Sequence, residues 1–171
     1  MTNRLERGRL LTDNGIYGVF QLIKIDDINL SIIKLLREGR KSYSIMAEEL
    51  SLTENTVRSR VNKLISENVL NITGLIDPSA LPGHQVIIVA LKLDTVELKE
   101  KAEELSRLKG VVSASITNGR YDCFLYVLLS DEQGFGLTEF LDDELSRVDR
   151  VRDYETFVVY KSVNLKIPYI I

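Results

Sequence analysis

Between Asn55 and Lys63 the chain reads Asn-Thr-Val-Arg-Ser-Arg-Val-Asn-Lys, a stretch with no carboxylate in a protein that carries 25 Asp and Glu residues. Seven of these side chains, Asn55, Thr56, Arg58, Ser59, Arg60, Asn62 and Lys63, are cationic or hydrogen-bonding. At helical spacing they form the outer face of a helix whose inner face is Val57, Val61 and Leu64. Such groups can reach base edges and phosphates, and Arg and Asn pair bidentately with guanine and adenine edges. The pattern predicts a helix that enters the major groove of double-stranded DNA, with Arg40 and Lys41 just upstream as phosphate contacts. A solvated helix in an ordinary three-helix domain is the competing reading.

Other chemistry has little to work with. The chain holds one histidine and one cysteine, so a disulfide within it and a Cys-rich zinc site are both excluded. No catalytic residue, metal ligand or cofactor is expected. His84 reads as an exposed histidine in a linker or at a strand edge, and Cys123 beside Phe124 as a core residue. Gly134-Phe135-Gly136 falls inside a helical pattern and lacks the rest of a phosphate-loop fingerprint. Asp142, Asp143 and Glu144 are consecutive on a helix, point in different directions and read as a solvated helix end.

The elements that must position the polar face follow from the pattern around it. Asp26 is placed to cap a helix with Ile28, Ile32, Leu35 and Leu36 on one side, closed by Gly39 in the left-handed C′ position. Ser42 caps a short helix with Ile45, Met46, Ala47 and Leu50 inside, and Ala47 is small enough for close helix packing. Ser51-Leu52 turns the chain. Thr53 caps the third helix, which runs to about Glu67 with Val57, Val61, Leu64 and Ile65 on one face. Val69 to Ile76 is β-like, and Thr73-Gly74 suits the tip of a small wing. Asp77 to Gly83, with two prolines, reads as a fixed linker.

Beyond it the order is β-α-β-β-α-β. Val86 to Leu93 predicts a strand buried on both faces. Thr95 caps a helix with Leu98, Ala102, Leu105 and Leu108 inward, and Gly110 breaks it. Val111 to Thr117 alternates as a half-buried strand, and Asn118 to Asp122 turns tightly into the strand Cys123 to Leu129. Ser130-Asp131-Glu132-Gln133 has the form of a capping box for the second helix. Val151 to Lys161 is the last strand. The fold class is α+β, an N-terminal winged helix-turn-helix followed by a C-terminal ferredoxin-like βαββαβ sandwich. The expected divisions are an extension (1–25) with a β-prone part from Ile16 to Ile25, a DNA-binding domain (26–76), a linker (77–83) and an effector-binding and oligomerisation domain (84–171).

Net charge is −3, unhelpful for DNA at first sight. Residues 1–80, however, carry 11 Lys/Arg against 10 Asp/Glu, and residues 81–171 carry 11 against 15. The acidity lies in the second half, and a local basic face is what matters for DNA. No apolar run approaches the roughly 20 residues that cross a bilayer. A signal peptide is not expected, and the reducing cytoplasm is the expected compartment. One short helix reads few base pairs, which predicts a twofold assembly on two half-sites.

The sequence resembles the Lrp/AsnC family of leucine-responsive, or feast/famine, regulators from about Ile25 to Asn164. The resemblance is carried by Ile25-Asp26-Asp27-Ile28-Asn29, Ile32-Ile33, Leu36, Glu38-Gly39-Arg40, Leu50-Ser51-Leu52-Thr53 and Val57 through Leu64. Ile76-Asp77-Pro78, Gly119-Arg120-Tyr121-Asp122 and Thr156-Phe157-Val158-Val159 complete it. It implies a transcription regulator that dimerises through its sheet, assembles further, commonly to an octamer, and responds to a small effector such as an amino acid. It also implies effector contact at Gly119, Arg120, Tyr121 and Asp122. An aspartate there suits an α-ammonium group; a merely structural turn is the alternative. The sequence departs from the family pattern at Ser51 and Asn68, where glycine is usual, and Ser51 suggests a different turn. Siroheme decarboxylases resemble this family throughout, but their Gly-Phe-Pro stretch is Gly39-Arg40-Lys41 here. A sensing and assembly protein with weak DNA binding is a third reading.

Overall fold

The computed structural model describes residues 25–37 and 39–171. The β-prone part of the extension, apart from Ile25, lies outside the described residues. The chain divides into two compact units, with the boundary between Ile72 and Thr73.

The first unit is built on α1 (Asp27–Leu35), α2 (Tyr43–Leu50) and α3 (Glu54–Ser66). Each starts where a side chain satisfies an otherwise orphaned backbone N–H. Asp26 Oδ1 accepts from Asn29 N at 2.7 Å, Ser42 Oγ from Ile45 N at 3.3 Å and Thr53 Oγ1 from Thr56 N at 3.2 Å. The three helices bury Ile32, Met46, Ala47, Val57, Val61 and Leu64 in one core. Ile45 and Ile65, expected inside, are 48% and 41% exposed. Successive helical residues differ by about 100°, so burying Met46, Ala47 and Leu64 turns these neighbours outward. α1 closes earlier than expected, at a Leu36 C-cap, and the positive φ of Gly39 (+117°) falls beyond it. Ser51 does adopt the left-handed cap (φ 53°, ψ 43°) in which glycine is favoured, so the turn keeps that form despite its serine. Asn68 is left-handed as well (φ 55°).

No wing hairpin forms from Val69 to Ile76. Its only strand residues, β1 (Leu75–Ile76), pair antiparallel with β6 (Ile167–Pro168) in the second unit. The cause is apolar packing: Ile76 lies against the cluster of Val86, Leu128 and Ile167. The expected linker is likewise part of this unit. Asp77 caps a 3₁₀ turn, Pro78–Ala80, through Ser79 N, and also accepts from Lys166 Nζ at 2.8 Å.

A four-stranded antiparallel sheet forms the second unit, in the order β3 (Val111–Ile116), β4 (Cys123–Ser130), β2 (His84–Leu93), β5 (Val151–Val158). This is the split βαβ order of the ferredoxin-like arrangement. One face, with Ile87, Val89, Leu91, Leu93, Cys123, Leu125, Val127 and Leu129, packs with Ala102 and Leu105 of α4 (Leu98–Leu105) and with Phe135, Phe140 and Leu145. On the other face Ile88 is paired with both Tyr126 and Phe157, and the two aromatics are 37% and 42% exposed. Burial of β2 is therefore near complete on the helix side and partial on the other.

Gly110 joins α4 to β3 with φ +79°, and a Cβ there would stand 2.5 Å from the Phe135 ring and 2.7 Å from the Leu128 carbonyl oxygen. Thr95 does not cap α4. Its hydroxyl accepts from Glu97 N two residues on, and the helix begins at Leu98. Ser130 precedes only a 3₁₀ turn, Asp131–Gln133, and makes no side-chain cap there, its backbone being exchanged with Phe135 in a β-bridge. Its Oγ is buried without a partner among the described residues. The helix starts only after Gly134-Phe135-Gly136, as α5 (Leu137–Glu139), with Glu139 Oε2 accepting from Gly136 N at 2.9 Å. A π turn (Phe140–Glu144) and a 3₁₀ turn (Leu145–Arg147) continue it. β5 ends at Val158, short of the expected Lys161.

Two stability predictions follow from these conformations. Replacing Ser51 by glycine removes a side chain from a left-handed cap and should stabilise the protein by about 1 kcal/mol, raising Tm by about 2–4 °C. An unchanged or lower Tm would contradict that account. The Asp77 carboxyl is lowered to about 2 by its bond from Lys166 and then by those from Ser79. A depressed carboxylate contributes stability above its unfolded value near 3.8, and that contribution is lost as pH falls toward 2. The Tm difference between the native chain and Asp77→Asn should thus be near full above pH 4, shrink between pH 4 and 2, and disappear below pH 2 in thermal melts.

Candidate nucleic-acid interface and turn cluster

α3 positions the residues expected to meet DNA. Burial of Val57, Val61 and Leu64 fixes its roll, leaving Asn55, Arg58, Ser59, Asn62 and Lys63 exposed and Thr56 and Arg60 half-buried. The hydroxyl of Thr56 is shared with the Thr53 cap at 2.8 Å. Arg58 Nη2 donates to Glu54 Oε1 one turn back, and its guanidinium lies 4.8 Å from the Tyr43 ring centroid. Lys63 faces Glu67 at 3.8 Å and is largely exposed. Such exposed pairs are worth little and yield readily to a phosphate. Arg40 is exposed, and Lys41 Nζ donates to Glu49 at 2.8 Å.

Arg60 is held differently. Its Nη1 donates to Asp26 Oδ2 at 2.6 Å and to Asn29 Oδ1 at 3.0 Å, both on the approach to and first turn of α1. The Arg60 guanidinium, with Asn29 N, holds the Asp26 carboxyl below its ordinary value. Asp26, Asn29, Asn55, Thr56, Ser59, Arg60 and Lys63 together line an open surface groove of about 630 Å³. The α3 sequence carries no sign of Asp26 and Asn29 as members of this groove. The Asp26-Asp27-Ile28-Asn29 segment reads locally as a helix start, and only tertiary packing brings it to the groove.

The turn from Thr117 to Asp122 is closed by Thr117 N to Asp122 O and by Thr117 Oγ1 to Tyr121 O. Gly119 has φ +136° with open space where a Cβ would stand, so its conformation, rather than crowding, favours glycine. Asp122 is turned toward β2 rather than its own turn. Its Oδ2 accepts from Leu93 N at 2.9 Å, and Lys92 Nζ stands 3.7 Å from Oδ1 and 3.5 Å from Gly119 O. The Tyr121 hydroxyl donates to the Glu155 carboxylate, which raises the phenol's pKa. Arg120 is exposed, with its guanidinium 5.3 Å from the Tyr121 ring centroid. The turn thus brings a carboxylate, an amine, a guanidinium and a phenol to one end of the sheet.

The remaining candidates take structural places. Cys123 is fully buried, and burial pushes its thiol up to about 11. His84, expected to be exposed, is half-buried as the first residue of β2. Its Nδ1 is 2.8 Å from Pro82 O, and its Nε2 is enclosed without a partner among the described residues. Tyr169, 5.7 Å away between ring centroids, packs beside it. Glu144 accepts from Lys109 N and Asp143 faces Arg147 at 3.9 Å, so the acidic cluster is divided among separate partners.

Comparison with known proteins bears on the two units as wholes. The AsnC-type helix-turn-helix domain matches residues 25–65, and the Lrp/AsnC ligand binding domain matches residues 86–166. An uncharacterized HTH-type transcriptional regulator of Pyrococcus abyssi is 32% identical over 139 residues, covering 80% of this chain and 87% of the relative. The HTH-type transcriptional regulator FL11 of Pyrococcus horikoshii is 27% identical over 142 residues, covering 82% and 92%. Among solved structures, the feast or famine regulatory protein from M. tuberculosis complexed with L-methionine superposes with a TM-score of 0.62. It is 22% identical and covers 81% of this chain and 93% of its own, a likeness of fold. With a helix-turn-helix domain and a ligand-binding domain of this family matched in one chain, and a relative 32% identical over 80% of it, the chain is a member of the Lrp/AsnC family of transcription regulators.

Proposed function

We propose that this protein is a cytoplasmic, sequence-specific DNA-binding transcription regulator whose assembly or DNA binding responds to a small effector of the amino-acid class. The observation that carries the reading is the two-sided character of α3. Val57, Val61 and Leu64 are buried in the first unit while Asn55, Ser59, Asn62 and Lys63 stand exposed. Asn55, Asn62 and Ser59 supply base-edge contacts, with Thr56 at the helix start. Lys63, Arg58, Arg40 and Lys41 supply phosphate contacts once their weak surface pairs exchange. The working form is a homodimer, and beyond it an octamer. The partly exposed Tyr126 and Phe157 on the second face of the sheet support a partner there.

The effector site is assigned to Gly119, Arg120, Tyr121 and Asp122. Asp122 suits an α-ammonium and Lys92 or Arg120 an α-carboxylate, which is the pair of charges every free amino acid carries. The M. tuberculosis relative in complex with L-methionine supports this class of ligand.

Two measurements test the reading. Purified full-length protein mixed with fragmented DNA from its own genome should retain a few promoter fragments. Their affinity should fall with salt at a log–log slope of about −0.9 per neutralised phosphate. Absence of retention at low salt, with and without amino acids, would remove DNA from the reading. Calorimetric titration with the amino acids should then find at least one that binds. Asp122→Asn, which keeps an oxygen for Leu93 N but loses the charge, should weaken it about tenfold or more. Unchanged affinity would move the ligand away from this turn.

A further inference from the structure

Arg60 stands on the polar side of α3, yet its surroundings are unlike those of the other cations. We propose that Arg60 is a positioning residue, held by Asp26 and Asn29 so as to set the roll of α3 against α1, and that it does not neutralise a DNA phosphate. This rests on the reading that α3 meets DNA.

Three observations carry it. The first is geometric. One carboxylate serves two helices, since Asp26 Oδ1 accepts from Asn29 N to cap α1 and Asp26 Oδ2 accepts from Arg60 Nη1 of α3. Asn29 Oδ1 takes a second hydrogen bond from the same Arg60 nitrogen. A residue 34 positions away in sequence is thereby pinned to the start of another helix by two hydrogen bonds on neighbouring groups.

The second observation is exposure. The Arg60 side chain is 30% exposed, against 51% for Arg58 and 71% for Lys63. Arg60 lies at the margin of the buried arc set by Val57, Val61 and Leu64, where its head meets the start of α1. The ion pairs of Arg58 and Lys63 lie along α3, one turn away, and Arg58 also lies over the Tyr43 ring; neither ion pair reaches another helix, so either cation can turn toward a phosphate at little cost.

The third is electrostatic. Asp26 lines the same groove as Asn55, Thr56, Ser59 and Lys63. With Arg60 beside it the carboxylate is neutralised. Were Arg60 to leave for a phosphate, an unpaired carboxylate would face the DNA backbone, a like-charge contact that opposes binding. The exchange that is easy for Arg58 and Lys63 is therefore unfavourable for Arg60. Base reading, meanwhile, depends on the angular placement of Asn55, Ser59 and Asn62, because bidentate hydrogen bonds tolerate little misdirection. A clamp at the helix margin fixes that angle before DNA arrives.

The test uses the full chain, a 30-base-pair duplex enriched by the native protein from a random pool, and an unselected duplex of equal length. Asp26→Asn retains a good N-cap while removing the charge that holds Arg60. It is compared with Arg60→Gln, the double variant and Lys63→Ala, with thermal melts confirming a cooperative fold in each. Asp26→Asn and Arg60→Gln should each lower the preference for the enriched duplex about tenfold. The double variant should lose no more than about twofold beyond either, the non-additivity of residues acting as a unit. The salt slope should stay at the native value in all three and become shallower by about 0.9 in Lys63→Ala. A slope reduced by about 0.9 in Arg60→Gln, additive losses, or tighter binding by Asp26→Asn would each overturn the assignment, since they mark a phosphate contact that Asp26 restrains. Failure of the native protein to enrich any duplex would overturn the DNA reading and this assignment with it, a result visible before any variant is made.

Discussion

A helix of thirteen residues, Glu54–Ser66, has to be dry along one side and chemically available along the other, and the first unit is organised around that requirement. The dry side comes from three residues, Val57, Val61 and Leu64, each at most 1% exposed. They close on Ile32 of α1 and on Met46 and Ala47 of α2, so both other helices exist chiefly to cover α3. Hydrophobic burial alone fixes a face but not a sharp angle, because an apolar contact is non-directional. Directional bonds supply the angle: the Thr53 cap at the N-terminus and the Arg60 contacts to Asp26 and Asn29 along the flank.

The second unit solves a different problem by similar means. β2 is central, flanked by β4 and β5, and contributes apolar residues to both faces of the sheet. Its C-terminal end is tied to the Asn118–Asp122 turn, where Asp122 N donates to Leu91 O and Asp122 Oδ2 accepts from Leu93 N. The turn is therefore braced by strand backbone at the place where its charged side chains gather. A braced turn costs little ordering entropy when a ligand arrives, which suits the effector site proposed there.

The parts of this architecture legible in the sequence are those set by local chemistry. Asp26, Ser42 and Thr53 cap the helices they precede, because an N-cap acts over three residues and needs nothing from the rest of the chain. The strand order followed from the alternation of elements. What could not be read was decided at long range. Val69 to Ile76 has the composition of a wing, yet Leu75 and Ile76 take their partners from Ile167 and Pro168, some ninety positions on. Ser130-Asp131-Glu132-Gln133 has the residues of a capping box, but the ladder with β2 keeps Ser130 in its strand. At the nucleic-acid face, composition identified the polar residues of α3 but could not show that Arg60 is engaged by α1, a pairing across 34 positions.

That engagement bears on how a protein of net charge −3 holds DNA at all. Arg58, Lys41 and Lys63 each stand opposite a carboxylate within their own unit, and Arg60 is tied more firmly still. A single first unit thus brings little uncompensated charge to the duplex, and counterion release from a few phosphates gives only weak binding. Affinity in the proposed regulator then has to come from joining units, since a second recognition helix on the same assembly binds at high effective concentration without any new contact. If the proposed assembly forms through the C-terminal units, weak, well-oriented heads would make DNA occupancy responsive to it. A ligand that favours one assembly over another, by binding beside the Asp122 turn, would change how many heads reach DNA at once without altering any single head.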